Sequence, residues 1–210
     1  MIRVLIVDDH PIVRRGFKEI LADEYPDAEF GEAADSAAAL GAFQSQKWDL
    51  ALLDINLPGP DGLALLQQSR RLHPRTPVLV VSAYPEEEFA VRSFKLGAAG
   101  YLGKNQASEE LVTAAKRILS GGKYVTASLA ERLADELSGD ARQTPTEKLS
   151  PRELQVLGMV ALGRSIKEIA AALSLSEKTI GTYRARITAK TGLTTNVALT
   201  RFAIRHGLAM

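Results

Sequence analysis

The spacing of apolar positions changes character along the chain. Up to about residue 120, short apolar runs alternate with stretches of helical period. The runs occupy residues 2–7, 29–32, 49–53, 78–81 and 100–102. Consecutive rather than alternating apolar residues fit strands covered on both faces, as in a parallel sheet. The helical patterns fall at about 11–24, 35–46, 62–72, 85–96 and 108–119. Pro85 before Glu86, Glu87 and Glu88 marks a helix start, with acids at the positive end of the dipole, and Gly97 marks its stop. Ser108 with Glu109 and Glu110 opens the next helix in the same way. Five strand–helix pairs in about 120 residues predict a doubly wound α/β domain with a five-stranded parallel sheet.

Gly121-Gly122 closes that region, and a short helical pattern follows at 128–137. Residues 138–146 are polar, contain Gly and Pro, and read as a tether. From Lys148 onward every pattern is helical. Ser150-Pro151-Arg152-Glu153 and Ser165-Ile166-Lys167-Glu168 are capping boxes, Ser176 is a further N-cap, and Gly192 ends the helix that Ser176 begins. A last helix is expected from about Thr195 to Arg205. Four helices in about 60 residues, with only Ser174-Leu175 between the second and third, predict a small all-α helix-turn-helix unit. The predicted division is therefore 1–120, a connection with one short helix at 121–147, and 148–210.

The net charge of +1 conceals a division along the same lines. Residues 1–120 hold 13 Lys+Arg against 17 Asp+Glu, a net of −4; residues 121–147 hold 3 against 5, a net of −2. Residues 148–210 hold 10 against 3, a net of +7, which points to a polyanionic partner for the last unit. The absence of cysteine excludes disulfides, thiolate metal sites and Cys nucleophiles. His10, His73 and His206 stand far apart, against a His-based metal site. No apolar run reaches the length of a membrane span, and the N-terminal residues lack a signal-peptide layout, so a cytoplasmic protein without a membrane partner is expected.

In a doubly wound sheet, ligands bind beyond the carboxyl ends of the strands, where strand order reverses. Asp8 and Asp9 follow the first strand, Asp54 the third; Ser82 ends the fourth and Lys104 follows the fifth. Clustered carboxylates repel one another unless a cation joins them. An all-oxygen set points to a hard ion, and Mg²⁺ suits a site shared with a phosphoryl group. An aspartate can attack phosphorus to give an acyl phosphate; Lys104 would neutralise the phosphoryl oxygens and the Ser82 hydroxyl would donate to one of them. Ala83 leaves room for the incoming group. Singly, such residues are ordinary helix caps or surface charges; their conjunction at four strand ends carries the inference. Trp48 is expected at the edge of the sheet core, His10 at a helix start, and 58–62 in a turn.

In the helix that follows Ser176, Ile180 and Ile187 share one face, with Tyr183 beside them. The opposite face collects Lys178, Thr182, Ala185, Arg186 and Ala189, with Gly181 at its border and Arg184 and Lys190 on the flanks. Small residues ringed by cations allow close approach to a major groove. In the preceding helix, Ile166, Ile169, Ala170 and Leu173 form a core-facing stripe.

Over its first 120 residues the chain resembles the receiver domains of two-component response regulators, through VLIVDDH, LLDINLPGPDG, VLVVSA and GAAGYLGK. The resemblance implies a flavodoxin-like receiver in which Asp54 is the phosphoacceptor, Asp8 and Asp9 bind Mg²⁺, and the Asn56 backbone carbonyl completes the metal shell. Ser82 and Lys104 would bind the phosphoryl group. Ser82 with Tyr101 would form the switch pair, the ring turning inward and changing the surface around the fourth helix, fifth strand and fifth helix. Gly103 and Asn105 depart from residues common in that family, a large apolar residue and a proline.

The segment LSPRELQVLGMVALGRSIKEIAAALSLSEKTIGTYRARI closely resembles the LuxR-type helix-turn-helix of NarL/FixJ-type regulators. TYRARI and AIRHGL resemble the subgroup that includes the GacA and BvgA regulators. The resemblance makes 176–190 the recognition helix, with Lys178, Thr182, Arg184 and Arg186 as DNA contacts and Lys167 on phosphates. Gly181 and Ala185 stand where some relatives carry base-reading lysines. The implied partners are DNA at palindromic promoter sites, a cognate sensor histidine kinase, RNA polymerase and, on phosphorylation, a second copy through the last helix. The implied output is transcription regulation, with no enzymatic activity beyond slow self-dephosphorylation. Two alternatives stay open on the residues alone. An aspartyl-nucleophile phosphohydrolase shares the acid and lysine chemistry, although such enzymes usually carry an acid two residues beyond the nucleophile, where this chain has Asn56. The other is a constitutive DNA-binding protein with a non-signalling receiver.

Overall fold

The computed structural model describes residues 1–57, 62–138, 146 and 148–208, the side chains of 136–138 excepted. The turn expected at 58–61 and the tether residues 139–145 lie outside them. The chain forms two compact units, Met1–Ala134 and Asp135–Met210.

The first unit alternates β1 (Arg3–Val7), α1 (Pro11–Glu24), β2 (Glu29–Ala33), α2 (Ser36–Ser45), β3 (Leu50–Leu53) and α3 (Gly62–Leu72). It continues with β4 (Val78–Ser82), α4 (Glu86–Lys95), β5 (Gly100–Gly103) and α5 (Ala107–Leu119). All neighbouring strands are parallel, in the order β2-β1-β3-β4-β5. The apolar runs explain the order: β3 and β4 are buried at every position and occupy the interior, while β2, with exposed Glu29 and Glu32, takes an edge. Val4 and Ile6 of β1, Leu50 and Leu52 of β3, and Leu79 and Val81 of β4 form one core with Phe17 and Leu21 of α1 and Leu111, Ala115 and Ile118 of α5. The intervening positions are buried as well, because α2, α3 and α4 bring Phe43, Leu66 and Phe89 into the interior. Trp48 lies at the expected edge: it is buried, it faces Gly31 on β2, and its Nε1 donates to the Ala42 carbonyl at 2.9 Å.

After α5 the chain runs beside the free edge of β5. Tyr124 bridges Gly100, and its N–H donates to the Ala99 carbonyl at 2.9 Å. Then comes α6 (Ala127–Ser138), the short helix expected in the connection.

The second unit contains α7 (Pro151–Ala161), α8 (Ile166–Leu173), α9 (Glu177–Thr191) and α10 (Asn196–Arg205). Both capping boxes form, at Ser150 with Glu153 and at Ser165 with Glu168. Ser176 and Thr195 cap α9 and α10 through the N–H groups of Thr179 and Ala198. Ser174 adopts the left-handed conformation at φ 53°, making the sharp turn between α8 and α9. Ile169, Ala170 and Leu173 are buried as expected, whereas Ile166 is half-buried because it opens the first turn.

One close approach positions the acid site. At Gly62 a Cβ would lie 2.5 Å from the Ile55 Cα, so α3 can start against the backbone that follows Asp54 only with glycine there. Gly62→Ala is expected to cost about 1–3 kcal/mol by overpacking. Urea unfolding, followed by the melting of the first unit, measures it.

Candidate functional site

The register of the sheet gathers the site. Val7 pairs with both Ala33 and Leu53, and Ser82 pairs with Gly103, so strand ends meet at one level. The ladder continues one residue further: Asp54 N–H donates to the Val7 carbonyl at 2.8 Å, and Lys104 N–H to the Ser82 carbonyl at 2.8 Å. These bonds fix the backbones from which Asp8, Asp54, Ser82 and Lys104 project.

Asp8, Asp54 and Lys104 meet at the strand ends. Lys104 Nζ lies 2.7 Å from Asp54 Oδ2 and 2.6 Å from Asp8 Oδ2, with the two carboxylates 2% and 1% exposed and the lysine 19%. Asp54 Oδ1 accepts the Asn56 N–H at 2.8 Å. Burial pushes the Asp54 carboxyl above its ordinary range, opposed by Lys104 and the Asn56 N–H. Burial would lower Lys104, but Asp54 and Asp8 outweigh it and hold the ammonium above its ordinary value. Lys104 is therefore a fixed positive charge at the phosphoacceptor candidate.

The donor set fits a hard cation. Asp8 Oδ2 and Asp9 Oδ1 are buried and make no well-aligned hydrogen bond among the described residues, although Lys104 Nζ and His10 Nδ1 stand close. Carboxylate oxygens with unspent lone pairs are the ligands Mg²⁺ takes. His10 occupies the helix-start position expected, at the N-cap of α1, but its ring also joins the acids, 2.8 Å from Asp9 Oδ1 and 3.2 Å from Asp8 Oδ1. A sequence period cannot show that contact, because it depends on the turn between β1 and α1.

Ser82 and Tyr101 lie on adjacent strands. The Tyr101 ring is fully buried, and its hydroxyl donates to the Tyr84 carbonyl at 2.8 Å. Burial raises the Tyr101 phenol far above its ordinary value, with the Ser82 hydroxyl opposing, so it stays a donor. Tyr84 joins these groups through contacts that spacing in the sequence does not reveal. Its N–H donates to Ser82 Oγ at 3.1 Å, its hydroxyl donates to Asn56 Oδ1 at 3.0 Å, and its ring stacks on Phe89 with centroids 4.4 Å apart. Arg14 is a further case; its Nη1 donates to the Asp8 carbonyl at 2.7 Å and its Nε pairs with Glu32 at 3.0 Å.

In the second unit, α9 buries Ile180 and Ile187, with Tyr183 half-buried. Lys178, Thr182, Ala185, Arg186 and Ala189 are exposed on the other side, and Lys167 is exposed on α8. Thr182 Oγ1 donates to the Lys178 carbonyl at 3.1 Å. Arg184 is half-buried and donates to Asn196 Oδ1 of α10 at 2.6 Å, a tie that the helical period of α9 alone does not reveal. Lys190 reaches across to Glu153 Oε2 at 2.6 Å. Burial would raise Glu153, but Lys190 and the N–H and hydroxyl of Ser150 outweigh it and hold the carboxyl below its ordinary range.

The family profile described as a response regulator receiver domain matches residues 4–116, and that of bacterial regulatory proteins of the luxR family matches residues 147–203. Response regulator UvrY of Escherichia coli K12 is 34% identical over 209 residues, covering 99% of this chain and 96% of that protein. Response regulator GacA of Pseudomonas aeruginosa is 36% identical over 209 residues, covering 99% and 98%. RcsB from Salmonella enterica serovar Typhimurium, bound to promoter rprA with the phosphomimetic BeF3−, superposes with a TM-score of 0.65 at 25% identity, covering 96% and 97%.

Two pH effects follow. Because the folded-state pKa of Asp54 is raised, its contribution to stability is complete below the unfolded value near ~3.9 and is lost as pH rises through the folded value. Asp54→Asn should therefore raise the urea midpoint of the first unit at neutral pH. Glu153 has the opposite sign: its contribution is complete above about 4.3 and is lost as pH falls through its lowered folded value. Acid titration of the second unit's melting should show a shallower decline in Glu153→Gln than in the wild type; equal slopes would refute the assignment.

Proposed function

Because this chain belongs to the two-component response regulators that join a receiver to a LuxR-type DNA-binding domain, we propose that a phosphoryl group on Asp54 controls its binding to promoter DNA. The observation that carries the proposal is the buried Asp54 carboxylate held 2.7 Å from Lys104 Nζ. An Asp54 oxygen attacks the phosphorus of a phosphohistidine on a sensor kinase. The P–N bond breaks, its electron pair returning to the imidazole nitrogen, and the new O–P bond makes an acyl phosphate. The Lys104 ammonium sits on the same carboxylate and neutralises phosphoryl oxygens; the Ser82 hydroxyl donates to one of them. Asp8, Asp9, Asp54 and the Asn56 backbone carbonyl would hold Mg²⁺, which supplies charge neutralisation at the phosphoryl group when bound. The inward Tyr101 completes the switch pair with Ser82. The chain is a phosphoacceptor rather than an enzyme, with slow self-dephosphorylation its only expected turnover.

The basic second unit reads DNA through α9. Lys178, Thr182 and Arg186 face outward and provide the contacts, with Lys167 on phosphate. Arg184, tied to Asn196, holds α9 against α10 and reaches phosphate from the flank. The complex of RcsB with promoter rprA supports the DNA target. Phosphorylation favours a dimer through α10 on palindromic sites, with RNA polymerase as the downstream partner, in the cytoplasm.

Acetyl phosphate with Mg²⁺ should modify the wild type and not Asp54→Ala, and DNA affinity should rise only in the wild type. Equal affinity in both would refute the switch while leaving DNA binding intact. Lys167→Ala should weaken binding to all sequences alike, reducing the magnitude of the slope of log K against log salt by about 1, measured by DNA titration at several salt concentrations.

A further inference from the structure

Two hydrogen-bonded groups lie two residues apart along the chain: one joins Tyr84 to the acid site, the other joins Glu86 to the start of α6, the helix through which the chain passes into the second unit. Tyr84 is the first relay. Its N–H, carbonyl and hydroxyl are all engaged, with Ser82 Oγ, the Tyr101 hydroxyl and Asn56 Oδ1, and its buried ring is stacked on Phe89 of α4. Two residues later stands Glu86, in the first turn of α4. Glu86 Oε1 accepts two hydroxyl protons, from Thr126 Oγ1 at 2.6 Å and from Ser128 Oγ at 2.8 Å. Thr126 is also the cap of α6: its Oγ1 accepts the Leu129 N–H at 3.2 Å, and its carbonyl accepts the Ala130 N–H at 3.0 Å. One turn on, Arg132 donates to the Glu87 carbonyl, and Leu129 is buried between these polar ties. The first turns of α4 and α6 are thus joined by charge-assisted bonds to a single carboxylate.

We propose that phosphorylation of Asp54 tightens this Glu86 latch, so that the receiver controls the order of the connecting helix. The proposal rests on the reading of Asp54 as phosphoacceptor. Its physical basis is the Ser82 hydroxyl, which accepts the Tyr84 N–H and also meets the Tyr101 hydroxyl; a phosphoryl oxygen on Asp54 would be a stronger acceptor for its proton. Donation to an anion polarises the hydroxyl and strengthens the bond it accepts. Tyr84 is then held more firmly, Tyr101 stays inward against its carbonyl, and Glu86 is fixed where both hydroxyls of the α6 start can reach it. Without the phosphoryl group that chain is weaker, and the α6 cap, shared with Glu86, opens more often. Glu86 lies outside the acid site, so its removal leaves the phosphorylation chemistry in place.

Hydrogen exchange on the full chain, with and without acetyl phosphate and Mg²⁺, tests the latch; phosphate-affinity electrophoresis measures occupancy separately. In the wild type, amides of residues 127–134 should exchange roughly tenfold more slowly when Asp54 is phosphorylated. Glu86→Ala, and independently Thr126→Val with Ser128→Ala, should reach the same occupancy without that slowing and with a smaller gain in DNA affinity. Glu86→Gln, which keeps an acceptor oxygen, should restore part of the effect. Equal slowing in Glu86→Ala, or none in fully phosphorylated wild type, overturns the latch. Failure of the wild type to become phosphorylated overturns the phosphoacceptor reading instead, and the latch with it.

Discussion

The first unit depends on one electrostatic constraint: two nearly inaccessible carboxylates must share a single ammonium. Asp8 and Asp54 are each almost fully buried, and Lys104 lies within 2.7 Å of both. Two such charges without a cation would oppose folding by desolvation and by mutual repulsion. The lysine answers both costs only if β1, β3 and β5 end at the same level. The parallel register supplies that alignment, and the ladder bonds from Asp54 to Val7 and from Lys104 to Ser82 extend it into the site. A buried pair of this kind is not an efficient source of stability. Its presence fits the proposed chemistry better, since it holds a carboxylate oxygen and a fixed positive charge at one crevice, away from bulk water.

The second unit solves a smaller problem of the same type. Its short helices have little core, so their ends carry much of the specification. Glu153 closes the Ser150 capping box and also receives Lys190 from the end of α9, linking the first and third helices of the unit through one buried carboxylate. Arg152 does comparable work on the other side, donating to Gln155 Oε1 at 2.6 Å and reaching the Leu173 carbonyl at the end of α8. With the inner face of α9 fixed by Ile180 and Ile187, its outer face, with Lys178 and Arg186, is left exposed.

Between these units the chain passes through a segment that is anchored at its beginning. Tyr124 extends the β5 edge and donates to Glu110, and Thr126 and Ser128 meet Glu86. Part of what looks like a connection in the sequence is therefore built onto the α4–β5–α5 side of the receiver. The first compact unit accordingly runs to Ala134, past the glycine pair at 121–122 where the helical pattern of α5 stops.

Local patterns were sufficient for much of this protein. Consecutive apolar runs marked the buried strands β1, β3, β4 and β5, Pro and acidic first turns marked the neighbourhood of helix starts, and Ser-x-x-Glu spacings fixed both capping boxes, because each signal acts within a few residues. The strand-end rule then brought Asp8, Asp54, Ser82 and Lys104 to one edge, since topology alone dictates where strand ends point. What the sequence left undetermined were contacts made across space by side chains with several possible partners. His10 beside Asp9, Arg14 on the Asp8 carbonyl, Tyr84 between Ser82 and Tyr101, Arg184 on Asn196 and Glu86 under Thr126 all depend on where separate elements come to rest. Period and spacing describe a residue's own element; only the folded chain decides which charge or hydroxyl stands opposite it.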